Sequence, residues 1–238
     1  LEVRNVESAQ LALLRATLPA RVGIGLRRTD DEGVLLFPEE AQLLGPDAVL
    51  KRRRDFAAGR AAARDALQDL GGPAGPIGRS PDGAPVWPAG VVGAISHAAG
   101  YGLSLVGWSR EYLGLGVDFE DRQREASESV ARYVCLPSEL EWISEADPLL
   151  PANLRRLLLF SAKETIFKLC YPLQRVWLDF GDAELRWLPD ERAFLATLRK
   201  RVADAVPAGF ILRVHALVLS DVVLTFAGVP TTAGGTTW

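Results

Sequence analysis

The sequence predicts an α+β fold built as two similar lobes, and three observations carry that reading. The first half holds one long helical pattern, Asp47 to Leu70, stopped by Gly71-Gly72-Pro73. Turn-rich stretches at Gly75 to Pro85 and Pro88 to Gly90 lead into short strand-like runs at Val91 to Ser96, Tyr101 to Trp108 and Tyr112 to Glu120. The second half repeats that order. A capping box at Pro137-Ser138 and Glu141 precedes a helix near Asn153 to Cys170, and strand patterns follow at Val176 to Leu188 and Phe210 to Phe226. Finally, 238 residues with 48% hydrophobic and 24% charged content suffice for one large domain or two small lobes. The tail, Gly228 to Trp238, is rich in Thr and Gly and is expected to fray.

Composition excludes several function classes. A formal net charge of -3 gives no global basic field to draw the protein onto nucleic acid or an anionic membrane. No uninterrupted apolar stretch reaches the roughly 20 residues that a bilayer requires. The first residues lack the basic, apolar, small-residue order of a signal peptide. No period of 20–50 residues marks a solenoid or propeller. Cys135 and Cys170 stand far apart without metal spacing, so they read as reduced thiols and point to the cytoplasm.

Lysine is scarce, with Lys51, Lys163, Lys168 and Lys200 the full set. Two of the four fall within one six-residue stretch, a helix segment on which Leu158, Leu159, Ala162, Ile166 and Leu169 share one arc. Lys163, Glu164 and Lys168 fall on the opposite arc, with Phe160 and Phe167 among them. Glu164 and Lys168 make a solvated i,i+4 pair in one reading. In the other they line a cleft, the carboxylate serving a metal or a proton and the lysines serving phosphate oxygens.

A second cluster lies on a strand. In Leu113-Gly-Leu-Gly-Val-Asp-Phe-Glu120, alternation places Leu113, Leu115, Val117 and Phe119 on one face and Gly114, Gly116, Asp118 and Glu120 on the other. The two glycines leave room for a close ligand, and the two acids point the same way. Carboxylates so close repel unless a proton, an arginine or a cation lies between them. Mg²⁺, which takes one or two carboxylates plus substrate phosphates, suits that arrangement, and two solvated acids on a half-exposed strand are the alternative.

The remaining candidates are cationic. Helical phase separates the members of Lys51-Arg52-Arg53-Arg54: Arg52 and Arg60 project with Phe56, Ala63 and Leu67, and Arg54 points away. An arginine on an apolar arc needs an anionic partner. Gly59-Arg60 and Arg79, between Gly78 and Ser80, add anion contacts. Ser96-His97 closes a strand-like run; adjacent strand residues face opposite ways, so a catalytic dyad is disfavoured and His97 reads as a phosphate contact. His215, inside an apolar strand pattern, reads as structural.

Together these residues resemble the phosphopantetheinyl transferases, in particular the larger two-lobed class that serves siderophore and polyketide synthetases. The resemblance rests on Gly116-Val117-Asp118-Phe119-Glu120, on Phe160-Ser161-Ala162-Lys163-Glu164-Thr-Ile-Phe-Lys168, on Arg52 through Gly59-Arg60-Ala-Ala-Ala-Arg64-Asp-Ala-Leu67, on Gly83-Ala-Pro85-Val-Trp87-Pro88 and on Ser96-His97. It runs from about Lys51 to Leu169. It implies two pseudo-symmetric α+β lobes, residues 1–111 and 112–238, with the active site in the cleft between them. It also implies transfer of the 4'-phosphopantetheine arm of coenzyme A to a serine of an apo acyl or peptidyl carrier protein, with release of adenosine 3',5'-bisphosphate. In that family Asp118, Glu120 and Glu164 match ligands of Mg²⁺, for which Mn²⁺ is an alternative. Glu164 further matches the general base, and Lys168 matches a phosphate contact able to protonate the leaving group. Arg52, Arg60, Arg79, Ser96, His97 and Lys163 match positions that bind the nucleotide and phosphates of coenzyme A. Arg79 stands where lysine is often found, and Phe119 stands where some relatives place a third polar group.

Two other readings compete. A Mg²⁺-dependent nuclease uses similar acid and lysine clusters but wants a basic groove, against which the net charge argues. A catalytically silent carrier- or coenzyme A-binding module keeps the arginines but has no need of Asp118, Glu120 and Glu164. No phosphate-binding G-x-x-x-x-G-K-[ST] loop occurs. A monomeric enzyme, with neither nucleic acid nor membrane as partner, is the expectation, and Glu125 to Trp142 is the stretch expected to meet the carrier.

Overall fold

A computed structural model of the chain describes residues 11–19 and 21–231. Its residues fall into two compact units, Leu1–Ser109 and Arg110–Trp238, each mixing helices with antiparallel sheet. Among the described residues no helix is long and apolar enough to cross a membrane.

In the first unit, residues 11–17 are helical (α1). Three strands form an antiparallel sheet in the order β1 (Val22–Arg28), β5 (Tyr101–Trp108), β4 (Val91–Ala98), and β2 (Gly78–Arg79) and β3 (Pro85–Val86) make a small separate hairpin. β4 turns into β5 through Ala99 and Gly100, both at positive φ (48° and 79°), the twist that two-residue hairpins prefer. A single-turn helix, α2 (Pro38–Ala41), precedes the long α3 (Leu50–Leu70). Gly71, at φ 71°, ends α3 in the left-handed cap that glycine adopts without strain, as the Gly71-Gly72-Pro73 stop predicts. α3 meets the sheet along a row of small residues. A Cβ on Gly25 would lie 2.0 Å from the Ala62 carbonyl oxygen, and one on Gly23 would lie 2.1 Å from that of Ala66. Helix backbone and strand backbone are therefore in direct contact.

The second unit holds a five-stranded antiparallel sheet in the order β6 (Tyr112–Asp121), β10 (Val222–Pro230), β9 (Ile211–Val218), β8 (Ala193–Leu198), β7 (Ala183–Leu188). Helices α4 (Glu128–Val134), α5 (Pro137–Ser144) and α6 (Ala152–Gln174) accompany it. The arc that periodicity assigns to the core of α6 is buried throughout: Leu158, Leu159 and Ala162 at 0%, Ile166 and Leu169 at 1%. They pack with Phe194, Leu212, Val214 and Val223 from the sheet, the non-directional burial that dominates folding.

Several sequence expectations change. The Val176 to Leu188 strand shortens to Ala183–Leu188, because a 3-10 turn at Phe180–Asp182 precedes it. The Phe210 to Phe226 pattern divides into β9 and β10, a hairpin. The capping box of α5 is built from Leu136 and Glu139, not from Ser138 and Glu141: Pro137 takes the first helical position, and the Glu139 carboxylate accepts the Leu136 N–H at 2.7 Å. Of the tail, Gly228 to Pro230 belongs to β10 and Thr231 bonds back to the Glu111 carbonyl; residues 232–238 lie outside the described residues. β1 and β8 have no counterpart in the sequence reading.

Candidate active site

β6 is an edge strand whose glycine-bearing face lies under α6. A Cβ on Gly116 would stand 2.2 Å from the Thr165 carbonyl oxygen, and one on Gly114 would stand 2.8 Å from that of Leu169. These glycines thus admit the helix, not a ligand, which corrects the expectation of open space beside them. The consequence for chemistry is registration. With the backbones this close, the next residues on the same face, Asp118 and Glu120, come beside the turn of α6 that carries Glu164 and Lys168.

A polar seam fixes the contact from below. Thr225, directly opposite Asp118 in the β6–β10 ladder, joins the hydroxyls of Ser161 (2.9 Å) and Thr165 (2.7 Å), and Thr165 donates to the Thr225 carbonyl. All three are fully buried. Asp118 is itself only 4% exposed, and its Oδ1 accepts from the Lys168 ammonium at 2.6 Å. Lys168 therefore reaches across from the helix to the strand acid. Arg124 holds the Glu120 carboxylate at 2.7 Å and lies over the Phe160 ring at 5.5 Å.

Electrostatics single out the two half-buried acids. Burial first, and then the negative charge of Asp118, pushes both Glu120 and Glu164 above the usual carboxylate range, with Lys168 opposing in each case. Among the described residues, no three His, Cys, Asp or Glu side chains already stand as a metal cluster. The donor set nevertheless fits a hard divalent cation: three carboxylates, oxygen only, two of them carrying a proton-affinity penalty that a second positive charge would relieve. Glu164 also lines a pocket of about 250 Å³ whose walls include Tyr133, Phe167, Trp177, Leu178 and Phe180.

Lys163 behaves differently from its neighbours. Its ammonium turns inward to the Glu139 carboxylate (2.7 Å) and the Phe180 carbonyl (2.8 Å), with the side chain 2% exposed. The structure does not bring it to the surface as a phosphate contact. Helical phase placed it on the polar arc, but its partner lies on α5, out of reach of any local pattern.

In the first unit, the arginine arc resolves into one buried member, Arg60, and one exposed member, Arg52. Arg60 is 6% exposed, stacks on Phe56 with 4.4 Å from guanidinium carbon to ring centre, and gives Nη2 to the Gly78 carbonyl. Its Nε is buried without a hydrogen-bond partner. Burial pulls its pKa down to about 10, against the charge of Glu40, and Arg79, Arg52 and Arg64 add repulsion. A buried guanidinium among like charges with an open donor is a place for an anion. Arg52 lies 3.3 Å from His97 Nε2, and both are exposed. Arg79 bonds the Leu43 carbonyl at 2.8 Å, and Ser96 is buried in β4. His215 stacks on Phe226, consistent with a structural residue.

Sequence reasoning missed two buried glutamates, Glu40 and Glu139. Both were legible as a repeated string, an apolar residue followed by Pro-x-Glu: Phe37-Pro38-Glu39-Glu40 and Leu136-Pro137-Ser138-Glu139.

Comparison with known proteins matches both parts of the chain to one family. Residues 39–107 match the model of the 4'-phosphopantetheinyl transferase N-terminal domain, and residues 114–225 match that of the 4'-phosphopantetheinyl transferase superfamily. The 4'-phosphopantetheinyl transferase Svp of Streptomyces mobaraensis is 43% identical over 169 residues, 71% of this chain and 68% of the relative. The 4'-phosphopantetheinyl transferase PptT of Mycobacterium tuberculosis is 34% identical over 195 residues, 80% and 84% of the two chains. Enterobactin synthase component D of Escherichia coli is 36% identical over 139 residues, 58% and 63%.

Proposed function

The chain belongs to the 4'-phosphopantetheinyl transferase superfamily, and from that premise we propose that it transfers the 4'-phosphopantetheine arm of coenzyme A to a serine of an apo acyl or peptidyl carrier protein. The observation that carries the reading is the convergence of Asp118, Glu120, Glu164 and Lys168 at one end of the β6–α6 contact. Carriers of siderophore and polyketide synthetases are the substrates we assign, on the motif resemblance to the class that serves them.

Asp118, Glu120 and Glu164 would hold Mg²⁺ or Mn²⁺. Such an ion would supply positive charge against the diphosphate of coenzyme A. Glu164, whose proton affinity burial raises, accepts the proton of the carrier serine. The serine oxygen then bonds to the β-phosphorus, the bridging P–O bond breaks, and adenosine 3',5'-bisphosphate departs. Lys168, beside Asp118, neutralises or protonates the leaving oxygen. Arg52, Arg60, Arg79, Ser96 and His97 take the nucleotide and its phosphates, and the open donor of Arg60 is the strongest single anchor among them. The pocket beside Glu164, with its aromatic walls, suits the uncharged pantetheine chain. No covalent enzyme intermediate is needed, which agrees with two cysteines whose thiols burial pushes up to about 11 (Cys135) and about 12 (Cys170). Those free thiols also support a cytoplasmic enzyme, and we assign it the monomeric state.

The test is intact mass. An apo carrier protein incubated with the enzyme, coenzyme A and Mg²⁺ should gain one phosphopantetheine, and EDTA should abolish the gain. Binding of coenzyme A without transfer to several carriers would favour a silent module, and absence of both would overturn the assignment.

A further inference from the structure

Glu40 and Glu139 are 0% and 1% exposed, and their surroundings match atom for atom. Each is the third residue of a short helix that starts with proline. In each, Oε2 closes the capping box on the backbone N–H three residues earlier, Phe37 at 3.0 Å and Leu136 at 2.7 Å. In each, Oε1 accepts a backbone N–H from a distant segment, Ile77 at 2.9 Å and Leu185 at 2.9 Å. In each, Oε2 also takes the cation of the unit's long helix, Arg64 of α3 at 2.5 Å and Lys163 of α6 at 2.7 Å. Even the cation's second contact corresponds, a backbone carbonyl: Leu35 for Arg64 and Phe180 for Lys163.

A buried carboxylate persists only where it is paired and hydrogen-bonded throughout. One that ties three segments together fixes their mutual placement. In the second unit the segments are α5, β7 and α6, and the tie to α6 falls at Lys163, immediately before Glu164. A helix gripped at one side chain is fixed in rotation and along its axis, and the next residue follows at 100°.

We infer that Glu139 is a positioning residue: through Lys163 it sets the rotation and height of α6, and so the placement of Glu164 and Lys168 against Asp118. This inference rests on the transferase reading above. It assigns Lys163 to the interior, where Glu139 and Phe180 engage two of its three donors, instead of to coenzyme A. Glu139 contributes no contact to substrate; it acts on the rate through another residue's geometry. Displacing a reacting group by about 1 Å costs on the order of 100-fold in rate, so the effect belongs in kcat.

The experiment compares the full-length chain with Glu139→Gln, Lys163→Met and the double variant, in transfer from coenzyme A to an apo carrier with Mg²⁺. Thermal unfolding and calorimetric binding of coenzyme A are measured alongside. Expected for each single variant is a fall in kcat of about 10- to 100-fold, with KM for coenzyme A within about twofold. The double variant should be no slower than the slower single one, because both changes break the same tie. A large rise in KM for Lys163→Met, with Glu139→Gln unaffected, would overturn the inference and return Lys163 to the phosphates. Should Glu139→Gln fail to fold, the double variant, which buries no unpaired charge, decides: low kcat at wild-type melting temperature and coenzyme A affinity supports positioning, and wild-type kcat refutes it. Lack of transfer by the wild-type chain is a separate outcome that removes the transferase reading itself.

Discussion

In the unit Leu1–Ser109 the long helix is lined by alanines, with Ala58, Ala61, Ala62, Ala63 and Ala66 all buried; in Arg110–Trp238 the corresponding helix is lined by Leu157, Leu158, Leu159, Ile166 and Leu169. The first covers three strands, the second belongs with five. Yet both helices touch their first strand backbone to backbone over paired glycines, Gly23 and Gly25 in one, Gly114 and Gly116 in the other. The lesson is a division of labour. Backbone contact sets the geometry, side-chain volume adapts to the size of the sheet, and the polar residues around it differ. The first unit groups Arg52, Arg64 and Arg79 about Arg60, and the second groups Asp118, Glu120 and Glu164.

The sharpest way to break that division is to remove one member from each side. Asp118→Ala should cut transfer by at least about 1000-fold, the scale on which loss of preorganised transition-state electrostatics is felt, while the unfolding transition stays cooperative. Arg60→Ala should instead raise KM for coenzyme A by about 10- to 100-fold, as loss of a charge-assisted contact implies. Steady-state kinetics against coenzyme A separates the two. Equal effects on kcat from both variants would erase the distinction between a binding unit and a chemical one.

A smaller effect tests the shared geometry. Gly25→Ala and Gly116→Ala each drive a Cβ into a helix carbonyl, 2.0 Å and 2.2 Å away. Both should destabilise by about 3 kcal/mol, the upper part of the range for overpacking, read from denaturant midpoints. A neutral Gly116→Ala would restore the ligand-space reading of that glycine.

The smallest expected effect concerns pH. Glu164 in the folded chain holds its proton to higher pH than the 4.5 of an unperturbed glutamate. The unfolded chain releases that proton first, so stability attributable to this group falls as pH rises from about 4.5 through the raised folded value. In metal-free buffer Glu164→Gln should therefore become more stable than wild type across that window, with the gap vanishing at lower pH. Melting curves at several pH values check the sign, and added Mg²⁺ should close the gap by stabilising the wild type alone.

What the sequence disclosed follows from where the information sits. The apolar arcs of α3 and α6, and the strands at Tyr101–Trp108 and Tyr112–Asp121, are local periodicities and were legible to within a few residues. β1 was missed although Val22, Ile24 and Leu26 alternate with Gly23, Gly25 and Arg27 much as Leu113, Leu115 and Val117 alternate with glycines in β6; the signal was present but short. Asp118, Glu120, Glu164 and Lys168 could be chosen by phase and spacing. Lys163 sits on the same polar arc as Lys168, and only its long-range partner separates the two. Gly114 and Gly116 look the same whether a ligand or a helix fills the space above them. Arg60 could be singled out because an arginine on an apolar arc needs a partner, and the structure shows it buried with its Nε unbonded.

The order of strands carries a consequence for synthesis. Every strand of the first sheet has left the ribosome once Trp108 has, so that unit is complete in secondary structure while the second is still being made. β6, which bears Asp118 and Glu120, waits far longer: its ladder partner is β10, more than one hundred residues downstream at Val222–Pro230. A ribosome that stalls anywhere in that interval leaves a chain able to offer its arginines but with its acids on an unzipped strand. On the roles proposed for Asp118 and Glu120, premature termination before β10 should yield a product that is silent, not merely slow.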